Sequence, residues 1–74
     1  MNFVDRVGLA VRRRRLALNL SQDDVVARME MSRGHYSDIE NGKRNIGLTT
    51  LHRIAEALET DAWEILKDAS TGRH

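Results

Sequence analysis

Between Leu20 and Asn45 the chain reads LSQDDVVARMEMSRGHYSDIENGKRN. A short amphipathic helix pattern is followed by a tight break. A second short helix comes next, with a small, polar outward face, and then a basic turn. Arg33 offers a planar fork of N–H donors, Ser32 and Ser37 offer hydroxyls, and Lys43 and Arg44 offer cations. Such groups hydrogen-bond base edges and neutralise phosphates. Two helices at this spacing can set the second into the DNA major groove, about 12 Å wide, while the turn touches the backbone.

The elements that must position these groups are all helices. Val4, Val7, Val11 and Leu18 share one stripe and predict helix 1 over roughly residues 3–18. Asn19 then tolerates the left-handed conformation that ends helices. Ser21 is a good N-cap, with Asp23 and Asp24 in the first turn favoured by the helix dipole. Val25, Val26 and Met29 give helix 2 its buried face, and it should end near Glu30. Ser32 caps helix 3, whose inward residues are Tyr36 and Ile39, and Asn41-Gly42 stops it. Leu48, Leu51, Ile54, Ala55 and Leu58 form the stripe of helix 4, starting at Gly47 or Thr49. Asp61 caps a short helix 5 carrying Trp63, Ile65 and Leu66, and residues 69–74 should fray. No segment alternates as a strand does. The expected fold is all-α, a compact five-helix domain.

The 74 residues allow one domain, expected over 1–74 with its core at 3–67. A chain of this size buries only about 60% of its unfolded surface, so its core needs support. The chain has no cysteine, which excludes disulfides and cysteine-ligated zinc. Self-association is the remaining common support. No apolar run approaches the ~18 residues of a membrane span. In MNFVDRVGLAVRRRR the charges follow the apolar residues, the reverse of a secretory leader. The expectation is a cytoplasmic protein with no membrane partner.

The net charge of +1 does not announce a polyanionic partner, but its distribution is uneven. Residues 1–45 carry nine basic and six acidic groups, a balance of +3, and residues 46–74 carry three and five, a balance of −2. Solvated helix faces explain such an asymmetry as readily as a binding surface does.

Arg15 falls on the apolar stripe of helix 1, so its stem should be partly buried. A buried charge needs a partner, and Glu40 at the end of helix 3 is the best candidate.

The pattern as a whole resembles the lambda-repressor/Cro-like, or XRE-type, helix-turn-helix domain. The matching residues are Leu20-Ser21-Gln22 and Ser32-Arg33, then Ile39-Glu40-Asn41-Gly42-Lys43-Arg44-Asn45. Leu51, Ile54-Ala55 and Ala57-Leu58 complete it. The likeness covers about residues 5–67, with the helix-turn-helix at about 22–40. It implies that helix 3 is the recognition helix and that Arg15 pairs with Glu40. Base-reading residues would be Ser32, Arg33, Gly34, Ser37 and Asp38. Arg33 can bond O6 and N7 of guanine together. Gly34 would allow close approach to the groove. Asp38 would either accept from a cytosine amino group or orient a nearby arginine.

Gln22 matches a position that grips phosphate at a helix N-terminus, where free N–H groups attract anions. Asn41, Lys43, Arg44 and Asn45 would ride on the backbone, positioning the domain without reading sequence. His35 is a phosphate neighbour, a structural residue or simply exposed. Arg12, Arg13 and Arg14 surround helix 1 and cannot all face DNA. One could reach a phosphate, with the others solvated.

The departures from the pattern are Glu30 where Gly is usual between the helices, Glu59 where Gly is common after helix 4, and Ile46 in place of a frequent Pro. They imply strained or reshaped turns.

The resemblance implies a homodimeric regulator of transcription on a (pseudo)palindromic operator. Paired half-sites double the few base contacts of one helix. No catalytic, ligand-binding or sensor region is expected beyond the motif. The dimer face would be helices 4 and 5, Leu48 to Leu66, with Trp63 serving it or the core. Controller proteins of restriction–modification systems and phage repressors are the families of similar size. An antitoxin that represses its own operon is the alternative. Asp23 and Asp24 could meet RNA polymerase, or simply cap helix 2. His35 and Asp38 lie three apart, yet no third ligand or nucleophile converges with them or with His52. No catalytic residue, metal or cofactor is expected.

Overall fold

The computed structural model describes residues 1–71. It contains α1 (Phe3–Ala17), α2 (Gln22–Ala27), α3 (Arg33–Glu40), α4 (Leu48–Ala57) and α5 (Ala62–Thr71), with no strand among the described residues. Each boundary has a local cause. Asn2 caps α1 and Ser21 caps α2, each in a reciprocal box with the carboxylate three residues on, Asp5 and Asp24. Ser32 accepts from the His35 amide at the start of α3. Asp61 accepts from the Glu64 amide at the start of α5. Gly47 stands at the N-cap of α4 with no side chain to offer.

α1 packs chiefly on α5 and on α3, while α2 leans on α3. The core gathers Val11, Val25, Tyr36, Ile39, Ile54 and Leu58, all but closed to solvent, with Leu51, Ile65 and Ala69 around them. Gly8 lets α1 pass tightly over the end of α3, where a Cβ would collide with the Ile39 and Glu40 carbonyls. Gly42 turns the chain at a φ of 73°, with Asp5 in the space a side chain would need.

Four expectations are corrected. α2 ends at Ala27, three residues before Glu30. Its last turn tightens, with the Arg28 and Met29 amides donating to the Val25 and Val26 carbonyls three residues back. Glu30 therefore needs no left-handed backbone, and the turn is reshaped rather than strained. Glu59 does adopt it, at a φ of 58°, as Asn19 does at 59°. Leu48, on the stripe of α4 by periodicity, is 77% exposed at the first residue of the helix. Residues 69–71 continue α5 instead of fraying, since Ala69 is buried in the core. The expectation for residues 72–74 lies outside the described residues.

Arg13 and Arg14 are not merely solvated. Arg13 reaches α5, its Nη2 2.7 Å from Asp68 Oδ2. Arg14 donates to the Leu58 and Glu59 carbonyls, both at 2.9 Å. Arg28 adds a bond to the Ala57 carbonyl at 2.9 Å and an ion pair to Glu59 at 3.0 Å. Two arginines from α1 and the α2 turn thus satisfy the carbonyl end of α4, where the helix dipole favours cations.

Candidate nucleic-acid interface

The α2–α3 unit is braced from behind. Arg15 Nε lies 2.7 Å from Glu40 Oε2 and Nη2 lies 3.0 Å from Oε1, a two-pronged pair. Arg15 Nη1 also donates to the Leu20 carbonyl at 2.8 Å. These side chains are 10% and 1% exposed. Burial pushes the Glu40 carboxyl up, but hydrogen bonds from Arg15 and Gln22 outweigh it and hold it below the usual range. The Glu40 bond raises the Arg15 pKa. Tyr36 fills the core behind this pair, and burial drives its hydroxyl well above the usual phenol range.

Gln22 was expected to hold phosphate. Its Nε2 donates instead to Glu40 Oε1 at 3.0 Å, so this donor faces into the domain. The amide retains a second N–H, and Gln22 stands at the first position of α2, whose first amides have no partner within the helix, that of Asp24 being taken by the Ser21 hydroxyl. The contact ties the start of α2 to the end of α3.

The other face of α3 has little part in the core. Ser32, Arg33 and Gly34 are exposed, and His35, Ser37 and Asp38 are half-buried. A Cβ on Gly34 would meet nothing within 4 Å, so the fold does not require glycine there. Asn41, Lys43, Arg44 and Asn45 are exposed on the turn that leaves α3. Asn41 Nδ2 reaches the Ser37 hydroxyl at 3.5 Å. Asp38 Oδ2 stands 3.5 Å from Arg44 Nε. Arg33 Nε stands 3.2 Å from Asp23 Oδ1 on the first turn of α2. Arg33, Gly34, Ser37 and Asp38 therefore lie on one short helix capped by Ser32, with the basic turn directly after it.

Sequence reasoning missed the partner of Arg33. Asp23 was already explained by capping, and a contact between the starts of two helices leaves no periodic trace. Asp24 is the capping carboxylate, held below its usual range chiefly by the hydrogen bond it accepts from the Ser21 amide. His52, on α4, stands 3.6 Å from Glu56 one turn on. No group of three or more metal-ligating side chains occurs among the described residues. No helix of the described residues is long and apolar enough to cross a membrane.

A helix-turn-helix family profile matches residues 11–62, from the middle of α1 to the start of α5. The chain belongs to the helix-turn-helix family. Within that family, the control protein C.MunI of Mycoplasma sp is 40% identical over 50 residues, covering 68% of each chain. The control protein C.BamHI of Bacillus amyloliquefaciens is 33% identical over 66 residues, 88% of this chain and 82% of that one. Among solved structures, the helix-turn-helix fold is shared with the restriction-modification controller protein C.Esp1396I, whose tetramer was determined in complex with its natural 35 base-pair operator. That likeness has a TM-score of 0.83 and 24% identity, covering 95% of this chain and 97% of that one.

Proposed function

We propose that this chain is a sequence-specific DNA-binding regulator of transcription, of the controller kind found in restriction–modification systems. It acts in the cytoplasm, as a homodimer on a (pseudo)palindromic operator, and is not an enzyme. One observation carries the reading: α3 carries an outward face that takes little part in the core, followed at once by a basic turn, and is anchored from behind by a buried ion pair. A rigid helix with unspent donors is what base readout in the major groove requires. The relatives named as control proteins, and the operator complex of a protein of the same fold, support it.

Arg33 reads a guanine, with Ser32, Gly34 and Ser37 beside it. Lys43, Arg44, Asn41, Asn45, His35 and the amide end of α2 at Gln22 take phosphates. Asp38 orients Arg44. The two copies meet through α4 and α5, where Leu48 and Trp63 are 77% and 66% exposed. Lone apolar side chains on a surface are ordinary, but two large ones on adjacent helices suit a shared interface. Asp24 caps α2 and Asp23 faces Arg33, so a polymerase contact has no structural support of its own here.

Footprinting on the DNA upstream of the chain's own gene tests the proposal. Two protected half-sites are expected, about one helical turn or a multiple apart. Protection that vanishes with nonspecific competitor DNA would contradict it.

A further inference from the structure

Arg33 and Asp23 stand face to face across the opening of the motif, with side chains 65% and 76% exposed. The carboxylate approaches Nε, at 3.2 Å. A guanidinium is a flat fork, and a partner on Nε leaves the Nη1/Nη2 edge to reach O6 and N7 of a guanine together. Arg44 repeats the arrangement, with Asp38 Oδ2 at 3.5 Å from its Nε. Both arginines beside the reading helix therefore have a carboxylate within ion-pairing distance of the same corner. Neither acid is required there by the core, and each adds negative charge where phosphates would lie.

We infer that Asp23 is a positioning residue for base readout: it fixes the Arg33 guanidinium and lowers indiscriminate attraction to DNA. The inference rests on the DNA-reading proposal above. An unheld arginine on an exposed helix start samples many rotamers and serves any nearby phosphate. A held one presents a fixed donor edge, so part of the orientational entropy is lost before binding. Asp23 repels phosphate at every sequence alike, while its hold on Arg33 benefits only a site that offers guanine at the right step. It therefore sharpens preference more than it raises affinity.

The test compares wild type and Asp23→Asn on the footprinted operator, on copies with each base pair changed in turn, and on unrelated duplex DNA. Asp23→Asn should bind unrelated DNA more tightly and lose roughly two- to fivefold of its operator preference, the range of an exposed ion pair. The loss should be confined to the base pair read by Arg33. In an Arg33→Ala background the same change should leave the preference unaltered. Asp23→Glu, which keeps the carboxylate, should retain more of the preference than Asp23→Asn. The melting temperature of Asp23→Asn should stay near wild type, since Asp24 supplies the capping box. Unchanged preference would overturn the inference. So would sharper preference, which would make the pair a latch that DNA must break. A wild-type protein with no preference for any site would instead defeat the DNA-reading proposal itself.

Discussion

Arg15 and Glu40 meet in a buried two-pronged ion pair, Nε to Oε2 at 2.7 Å and Nη2 to Oε1 at 3.0 Å. It joins the last turn of α1 to the last residue of α3, so it sets where the reading helix lies. Removing one partner leaves the other charged and buried, which costs about 3–5 kcal/mol. Glu40→Ala should therefore lower stability by that order, while Glu59→Ala, at an exposed pair with Arg28, should cost about 0.2–1 kcal/mol. Thermal unfolding of the two variants decides it, and equal melting temperatures would contradict the assignment.

The same pair gives acid sensitivity. The folded state holds Glu40 below the ordinary glutamate value of 4.5, despite burial, through Arg15 and Gln22. A depressed carboxylate stabilises the fold above its unfolded pKa, and that stability is lost as pH falls through the folded value. Wild type should lose stability below about pH 4.5, more steeply than Glu40→Gln. Parallel stability–pH curves for the two would count against the pair.

Glu59 occupies a left-handed backbone at a φ of 58°. That conformation costs a residue with a side chain roughly 1–2 kcal/mol, and glycine almost nothing. Glu59→Gly forfeits only the exposed pair with Arg28, because Arg14 and Arg28 also hold main-chain carbonyls that remain. Its melting temperature should rise by a few degrees. A fall would show that the Arg28 contact outweighs the backbone strain.

These contrasts show what the sequence disclosed. Arg15 was legible because a charge on an apolar stripe demands a partner. Ser21, Ser32 and Asp61 were legible because caps are local chemistry. The roles of Arg14 and Arg28 were hidden, since they hold main-chain carbonyls 29 to 45 residues away. A carbonyl acceptor carries no residue type to read. The bond from the Gln22 amide to Glu40 was hidden too, since it joins two helices 18 residues apart and leaves no periodic trace. Leu48 obeys the period of α4 but not its burial, because periodicity says nothing of where a helix leaves the core.

Leu48 and Trp63 are exposed, so replacing both with Ser should leave the protomer's core intact. If α4 and α5 form the dimer face, sedimentation at micromolar concentration should show a wild-type dimer and a monomeric variant. Wild-type melting should also depend on protein concentration. A monomeric wild type, or a dimer indifferent to the substitutions, would remove this face from the account.

Lys43 and Arg44 follow α3 on an exposed turn. If each neutralises one phosphate, replacing both with Ala should reduce the slope of log affinity against log salt by about 2. The loss should be similar on operator and unrelated DNA, because phosphates carry no sequence. An unaltered slope would refute their role.

The central claim is that α3 reads sequence through Arg33. Its most direct measurement is the affinity of wild type and Arg33→Ala for the operator, with each base pair varied in turn at fixed salt. The account predicts that wild type prefers its operator over unrelated DNA by roughly a thousandfold or more. It predicts that Arg33→Ala loses about 1–3 kcal/mol and becomes indifferent at one base pair in each half-site. Equal wild-type affinity for operator and unrelated DNA, or an Arg33→Ala variant with an unchanged base profile, would contradict it.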